Sequence, residues 1–217
     1  MWVIFDNISA TILGGTLLII LISVQQRIME INLEQITNYM VKRQANDLVS
    51  WIEEDLLRLG ENVDFNNEVP FVNPIQNAAT GITESFTFFR DSIDIDGKIF
   101  RIYIRYDLNP KGYRIIRGDS IPVYQLVRSV KIGEDGTWEI SGRSPALISY
   151  FRIDLLDRDA KPLADPAGNP ELVQNTRVRV TLVPPYETSR SQVLQRVYYG
   201  STLLIPRNRD NESTTGL

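Results

Sequence analysis

The run Ile8 to Val24, ISATILGGTLLIILISV, carries no charge and no proline. As a helix it is about 25 Å long at 1.5 Å per residue, the lower edge of what crosses a bilayer core. Met1 to Phe5 adds apolar length, interrupted by Asp6 and Asn7. The competing reading is a secretory signal peptide, which wants a basic segment ahead of its apolar run. Here the first basic residue is Arg27, so a single-pass anchor is the expectation. The basic residues after the run, Arg27, Lys42 and Arg43, are diluted by Glu30, Glu34 and Asp47. Taken alone, they vote weakly for a cytoplasmic C-terminal side.

The helix is expected to continue past the membrane, because no glycine or proline occurs from Thr16 to Leu59. Ala45, Leu48, Ile52, Leu56 and Leu59 follow helical spacing, with Asp47, Glu53, Glu54 and Arg58 largely elsewhere. Gly60 is placed to cap the C-terminus. One helix from Ile8 to Leu59 would run about 80 Å, half in lipid or a helix bundle and half packed on a domain.

After Gly60 the texture changes. Residues 61–81 are polar, contain Pro70 and Pro74, and read as a loop. Strands are expected at Glu84 to Arg90 and Lys98 to Tyr106, joined by a turn at Asp94-Ile95-Asp96-Gly97. Asn109-Pro110-Lys111-Gly112 predicts a second turn, pairing Lys98 to Tyr106 with Tyr113 to Arg117 as an antiparallel hairpin. Further strands are expected at Tyr124 to Ile132, Ala146 to Leu156, Thr176 to Val183 and Val193 to Ile205, with a tight turn at Glu134-Asp135-Gly136 and a long loop at Ala160 to Pro170. The resulting class is α+β: a transmembrane-plus-amphipathic helix (residues 1–60) packed on an antiparallel β-rich domain (61–206), then a flexible tail (207–217).

Among the 217 residues there is no cysteine and no histidine, which removes thiol nucleophiles, thiolate metal sites and Ser-His-Asp triads. The net charge of -4 and the lack of a dense basic run argue against nucleic acid as a partner. Asp91, Asp94 and Asp96 resemble part of a calcium loop, but the final acidic ligand is missing and a hairpin turn is favoured. Asp157, Asp159 and Asp165 flank a second loop and read as solvated turn residues. Glu53, Glu54 and Asp55 point in different directions on a helix, form no acid/base pair, and read as a solvated face. Arg101, Tyr103 and Arg105 share one strand face and could hold a glycan or anion, although an ordinary exposed face is the expectation.

The chain resembles the minor pilins and pseudopilins of the type IV pilus and type II secretion superfamily, the J-type pseudopilins and W-type minor pilins in particular. The resemblance lies in the architecture and in three segments: RQANDLVSWIEEDLLRLGENV (Arg43 to Val63), KIFRIYIRYDLNPKGYRIIRG (Lys98 to Gly118) and VYYGSTLLIPRNR (Val197 to Arg209). It covers most of the chain through short, degenerate motifs; the helix proline usual in many pilins is absent, and Gly14-Gly15 lies inside the apolar run. The resemblance implies a structural protein, not an enzyme, with no cofactor, catalytic residue or metal. It implies a filament or secretion pseudopilus at the inner (cell) membrane, with the soluble domain periplasmic or extracellular, against the vote of the charges. The implied partners are membrane lipid and other pilin-like subunits, with no small-molecule substrate. Asp6 falls beside the position of the family's helix glutamate. A carboxylate there is costly in lipid unless it lies at the interface or pairs with a neighbour's amine or basic group. Ser9, Ala10, Gly14 and Gly15 are small enough for close helix approach. The alternative expectation is a membrane-tethered accessory subunit of another membrane complex.

Overall fold

Without a helix breaker from Thr16 to Leu59, the N-terminal segment forms one helix, α1, from Trp2 to Leu57. The computed structural model describes residues 2–65, 67–116, 119–145, 147–183 and 197–205, the side chains of Trp2, Val3, Asp6, Ile116, Val197 and Tyr198 excepted. The expected tail, 207–217, and the start of the last expected strand, 193–196, lie outside these residues. The helix ends in a turn that reaches Gly60, whose φ of 70° suits a residue without Cβ. A Cβ there would also meet the Phe65 ring at 2.6 Å. Gly60 N–H donates to the Phe89 carbonyl, tying the helix end to the sheet.

The strands are β1 (Ile75–Gln76), β2 (Thr83–Ile93), β3 (Ile99–Ile116), β4 (Asp119–Ile132), β5 (Glu139–Arg143), β6 (Leu147–Leu156), β7 (Asn175–Val183) and β8 (Val197–Leu204). They form one antiparallel sheet in the order β1-β2-β3-β4-β6-β7-β8, with β5 also paired to β4. The β2–β3 turn falls where expected, at Asp94 to Gly97. Gly97 takes φ 75° and donates to the Asp94 carbonyl, and Asp94 N–H donates to Lys98.

The second expected hairpin is corrected. Asn109 to Gly112 does not turn the chain. β3 runs on to Ile116, and its ladder with β4 continues from Ile102↔Ile132 to Ile116↔Asp119. Lys111 is the extra residue of a bulge between Pro110↔Tyr124 and Gly112↔Val123. The physical reason is local. Beyond Asp107 the pairing with β2 has ended, so Pro110 lacks an N–H where β4 is its one paired neighbour. Gly112, at φ 103°, supplies the backbone shape that the bulge needs. β1 and β5 were not expected, and a 3-10 turn at Pro170–Leu172 closes the loop before β7.

One hydrophobic cluster joins the C-terminal part of α1 to the sheet. Val41, Ala45, Leu48, Ile52, Leu56 and Leu59 share it with Phe86 and Phe88 of β2, Ile104 of β3, Leu126 of β4, Phe151 of β6 and Val180 of β7. Each of these side chains other than Ala45 contributes roughly 1.5–3 kcal/mol when fully removed from water.

Candidate functional site: the helix surface and its seat on the sheet

Four of the expected assembly residues sit on a part of α1 that no described residue of the β domain covers. Ser9, Ala10, Gly14 and Gly15 are all exposed, and a Cβ at either glycine would meet no atom within 4 Å. Ala10 and Gly14, four apart, share a face, as do Thr11 and Gly15. Asp6 lies on the helix, its side chain outside the described residues. The Thr11 hydroxyl donates to the Asn7 carbonyl, Thr16 to Leu13 and Ser23 to Ile19, at 2.8–2.9 Å. These hydroxyls thus satisfy themselves inside the helix and present no unmade donor to an apolar surrounding. By length and composition α1 is able to cross a membrane, and the qualifying apolar window is wholly unburied.

Apolar exposure does not end with Val24. Ile28, Met29, Ile31, Leu33, Ile36, Tyr39 and Met40 are also exposed. Met29, Leu33, Ile36 and Met40 recur at spacings of four, three and four, which lines them along one helix face. Burial against the domain begins at Thr37 and Val41.

The seat of the helix is polar as well as apolar. Asp55 is buried at 7% exposure, which corrects the expectation of a solvated face. It accepts a hydrogen bond from the Tyr106 hydroxyl and two from Arg128, Nε at 2.6 Å and Nη2 at 2.8 Å. Trp51 meets Tyr106 edge-on at 6.0 Å, and the Arg128 guanidinium lies 5.9 Å from the Trp51 ring. Burial, with the Asp55 charge and hydrogen bond, pushes the Tyr106 hydroxyl well above its ordinary range. Burial acts to lower the Arg128 value, and the bond to Asp55 with its charge more than offsets that. Glu53 accepts from Tyr199 of β8 at 2.7 Å, while exposed Glu54 pairs loosely with Arg58. The three adjacent carboxylates therefore share no partner, as their helical spacing implies.

The strand face of Arg101, Tyr103 and Arg105 is engaged within the chain. Arg101 binds Asp91 and Glu68, Tyr103 packs on Phe89 beneath Lys131, and Arg105 pairs with Asp107 and covers Trp138. The loop aspartates act as backbone acceptors: Asp94 takes Ile95 N–H, Asp157 takes Asp159 and Lys161 N–H, and Asp165 takes Gly168 N–H. Asp91, Asp94 and Asp96 do not converge with other acids, and no cluster of three metal-ligating residues occurs among the described residues. Asp159 pairs loosely with Lys161.

Sequence reasoning did not reach a cationic cluster on the face of β6–β8 turned away from the core. Asp154, its side chain 2% exposed, accepts from Arg152 at 2.7 Å and Arg179 at 2.7 Å, with Arg177 at 3.4 Å. Burial acts to raise the Asp154 value, and the arginines hold it below the usual carboxylate range. Beside this cluster is a groove of about 540 Å³ lined by Ile121, Tyr150, Arg179, Thr181 and Gly200. Comparison of the chain with protein-family models, curated proteins and solved structures finds no match.

Proposed function

We propose that the chain is a structural, pilin-like subunit, anchored by α1 in the cell membrane and assembled through that helix into an envelope filament or secretion pseudopilus. The observation that carries the reading is the length of the exposed apolar surface. Exposed apolar residues recur from Ile4 to Met40, about 55 Å at 1.5 Å per residue against a hydrocarbon core of about 30 Å, and beyond Val24 they alternate with Arg27, Glu30 and Glu34. A tether alone needs about 20 apolar residues. The face of Met29, Leu33, Ile36 and Met40 lies beyond any such span and calls for a protein neighbour, which the bundled helices of a filament provide.

Within that bundle Ser9, Ala10, Gly14 and Gly15 allow close approach, and Asp6 pairs with a basic group or amine of the next subunit. The domain stands on the periplasmic or outer side. The test is electron microscopy of the purified full-length protein, with mass spectrometry of the native N-terminus. Helical assemblies and a methylated, leader-processed terminus are expected. Asp6→Ala should reduce incorporation while leaving the domain melting temperature unchanged. Recovery as one stoichiometric copy in a non-filamentous membrane complex would reject the reading in favour of an accessory subunit.

A further inference from the structure

Two surface features at opposite ends of the β3–β4 ladder are complementary. The first is the β2–β3 tip. Ile95 is exposed at 102%, and Ile93 and Ile99 beside it are also exposed. Isoleucine held wholly in water at a hairpin tip is costly unless something covers it. The tip carries Asp94, Asp96 and Lys98, all exposed, and Asp96 has no ion pair among the described residues. The second feature is the mainly apolar groove of Ile121, Tyr150, Thr181 and Gly200. Arg179 is among the residues that line it.

Charge decides what fits. Among the described residues Arg152, Arg177 and Arg179 share one carboxylate, Asp154, three positive charges to one negative. Other arginines paired among the described residues have at least one carboxylate each. The Nε–H groups of Arg177 and Arg179, like those of Arg90 and Arg105, are buried without a hydrogen-bond acceptor among the described residues. The groove therefore suits an apolar side chain flanked by a carboxylate, which is the chemistry of Ile95 next to Asp96. Along β4, Ile121 at the groove and Ile132 at the tip end are eleven residues apart, roughly 36 Å. A tip and a groove so separated make a head-to-tail contact, the kind that repeats into an open filament.

We propose that the β2–β3 tip of one copy docks in the β6–β8 groove of the next, with Ile95 on the apolar floor and Asp96 facing Arg179. The proposal rests on the reading of the chain as a self-assembling subunit. Because the chain has no cysteine, introduced thiols report contacts without background. The experiment co-expresses two differently tagged full-length copies, one Ile95→Cys and one Gly200→Cys, and oxidises them in membranes. A Cβ at Gly200 would meet Arg179 Cγ at 3.7 Å, an ordinary contact, so the thiol fits.

Mixed dimers are expected well above either like-with-like pair. Adding Asp96→Arg to the tip copy should lower their yield roughly tenfold, the change that 1.4 kcal/mol makes. Arg179→Asp on the groove copy should restore it. Asp96 is exposed, so its reversal leaves the fold intact, and melting curves check the groove variant. A parallel pair of Ser9→Cys copies reports helix contact separately. Helix cross-links without mixed tip–groove dimers would overturn the docking and leave the filament reading standing. Loss of both would overturn the docking together with the reading beneath it.

Discussion

Asp55 shows how far a single residue departs from what its neighbours in sequence suggest. Glu53, Glu54 and Asp55 look alike in the chain, yet Asp55 alone falls on the stripe of Ile52, Leu56 and Leu59 and is buried with them. That signal was legible: a carboxylate three residues from one core position and four from another needs a partner. The partners were not legible, because Tyr106 and Arg128 lie 51 and 73 residues away and only the sheet brings them in. Asp55→Ala leaves the half-buried Arg128 guanidinium without its carboxylate, and should cost up to about 3 kcal/mol in chemical denaturation. Tyr106→Phe removes one hydrogen bond and should cost about 1–3 kcal/mol. The same tyrosine sets a pH dependence. Its folded value lies above the unfolded value of about 10. Its contribution is therefore fully present below pH ~10 and is lost as pH rises beyond it, since the unfolded chain releases the proton first. Above that pH the stability difference between the wild type and Tyr106→Phe should shrink, measured by denaturation at a series of pH values.

Among the elements, the two Asx-rich glycine signals had opposite outcomes. Asp94 to Gly97 closes a hairpin, because the apolar alternation stops on both sides and β3 pairs back at once, Ile93↔Ile99. Asn109 to Gly112 carries the same turn chemistry, but β4 supplies partners for every residue beyond it as far as Ile116. A proline and a positive-φ glycine serve a bulge as well as a turn, and the choice is made by a strand that comes later in the chain. β1 and β5, of two and five residues, are too short for periodicity to reveal. The bulge makes a prediction that separates strain from clash. A Cβ at Gly112 would meet nothing within 4 Å, so Gly112→Val has room. The backbone at φ 103° still disfavours it, and a loss of about 1–3 kcal/mol is expected from strain alone. Gly14→Ala, equally uncrowded but in regular helix, should leave the domain melting temperature unchanged.

At the scale of the whole molecule, α1 has two unlike halves, one apolar and exposed and one packed on the sheet. Among the described side chains, none up to residue 36 is buried against the domain, whereas Val41 to Leu59 supply a wall of its core. The apolar run in the sequence made the first half readable, and the 3.6-residue spacing made the second readable. The cationic groove on β6–β8 was not readable, because its arginines alternate with valines as in any half-exposed strand and become a cluster only when β6 and β7 pair Arg152↔Arg179. The division of α1 predicts two unlike truncations. Removing residues 1–30 takes away surface that the folded domain never buried. The remaining chain should melt within a few degrees of the full-length protein, and under the proposed function it should no longer assemble. Removing residues 1–50 deletes Val41, Ala45, Leu48 and Val49, all nearly fully buried. At roughly 1.5–3 kcal/mol for each of the larger side chains, that loss approaches the 5–15 kcal/mol that holds a typical domain together. The shorter chain should therefore lack a cooperative melting transition by calorimetry. If both truncations melted like the full-length protein, the C-terminal part of α1 would have no structural role in the domain, and its buried stripe would have to serve assembly instead.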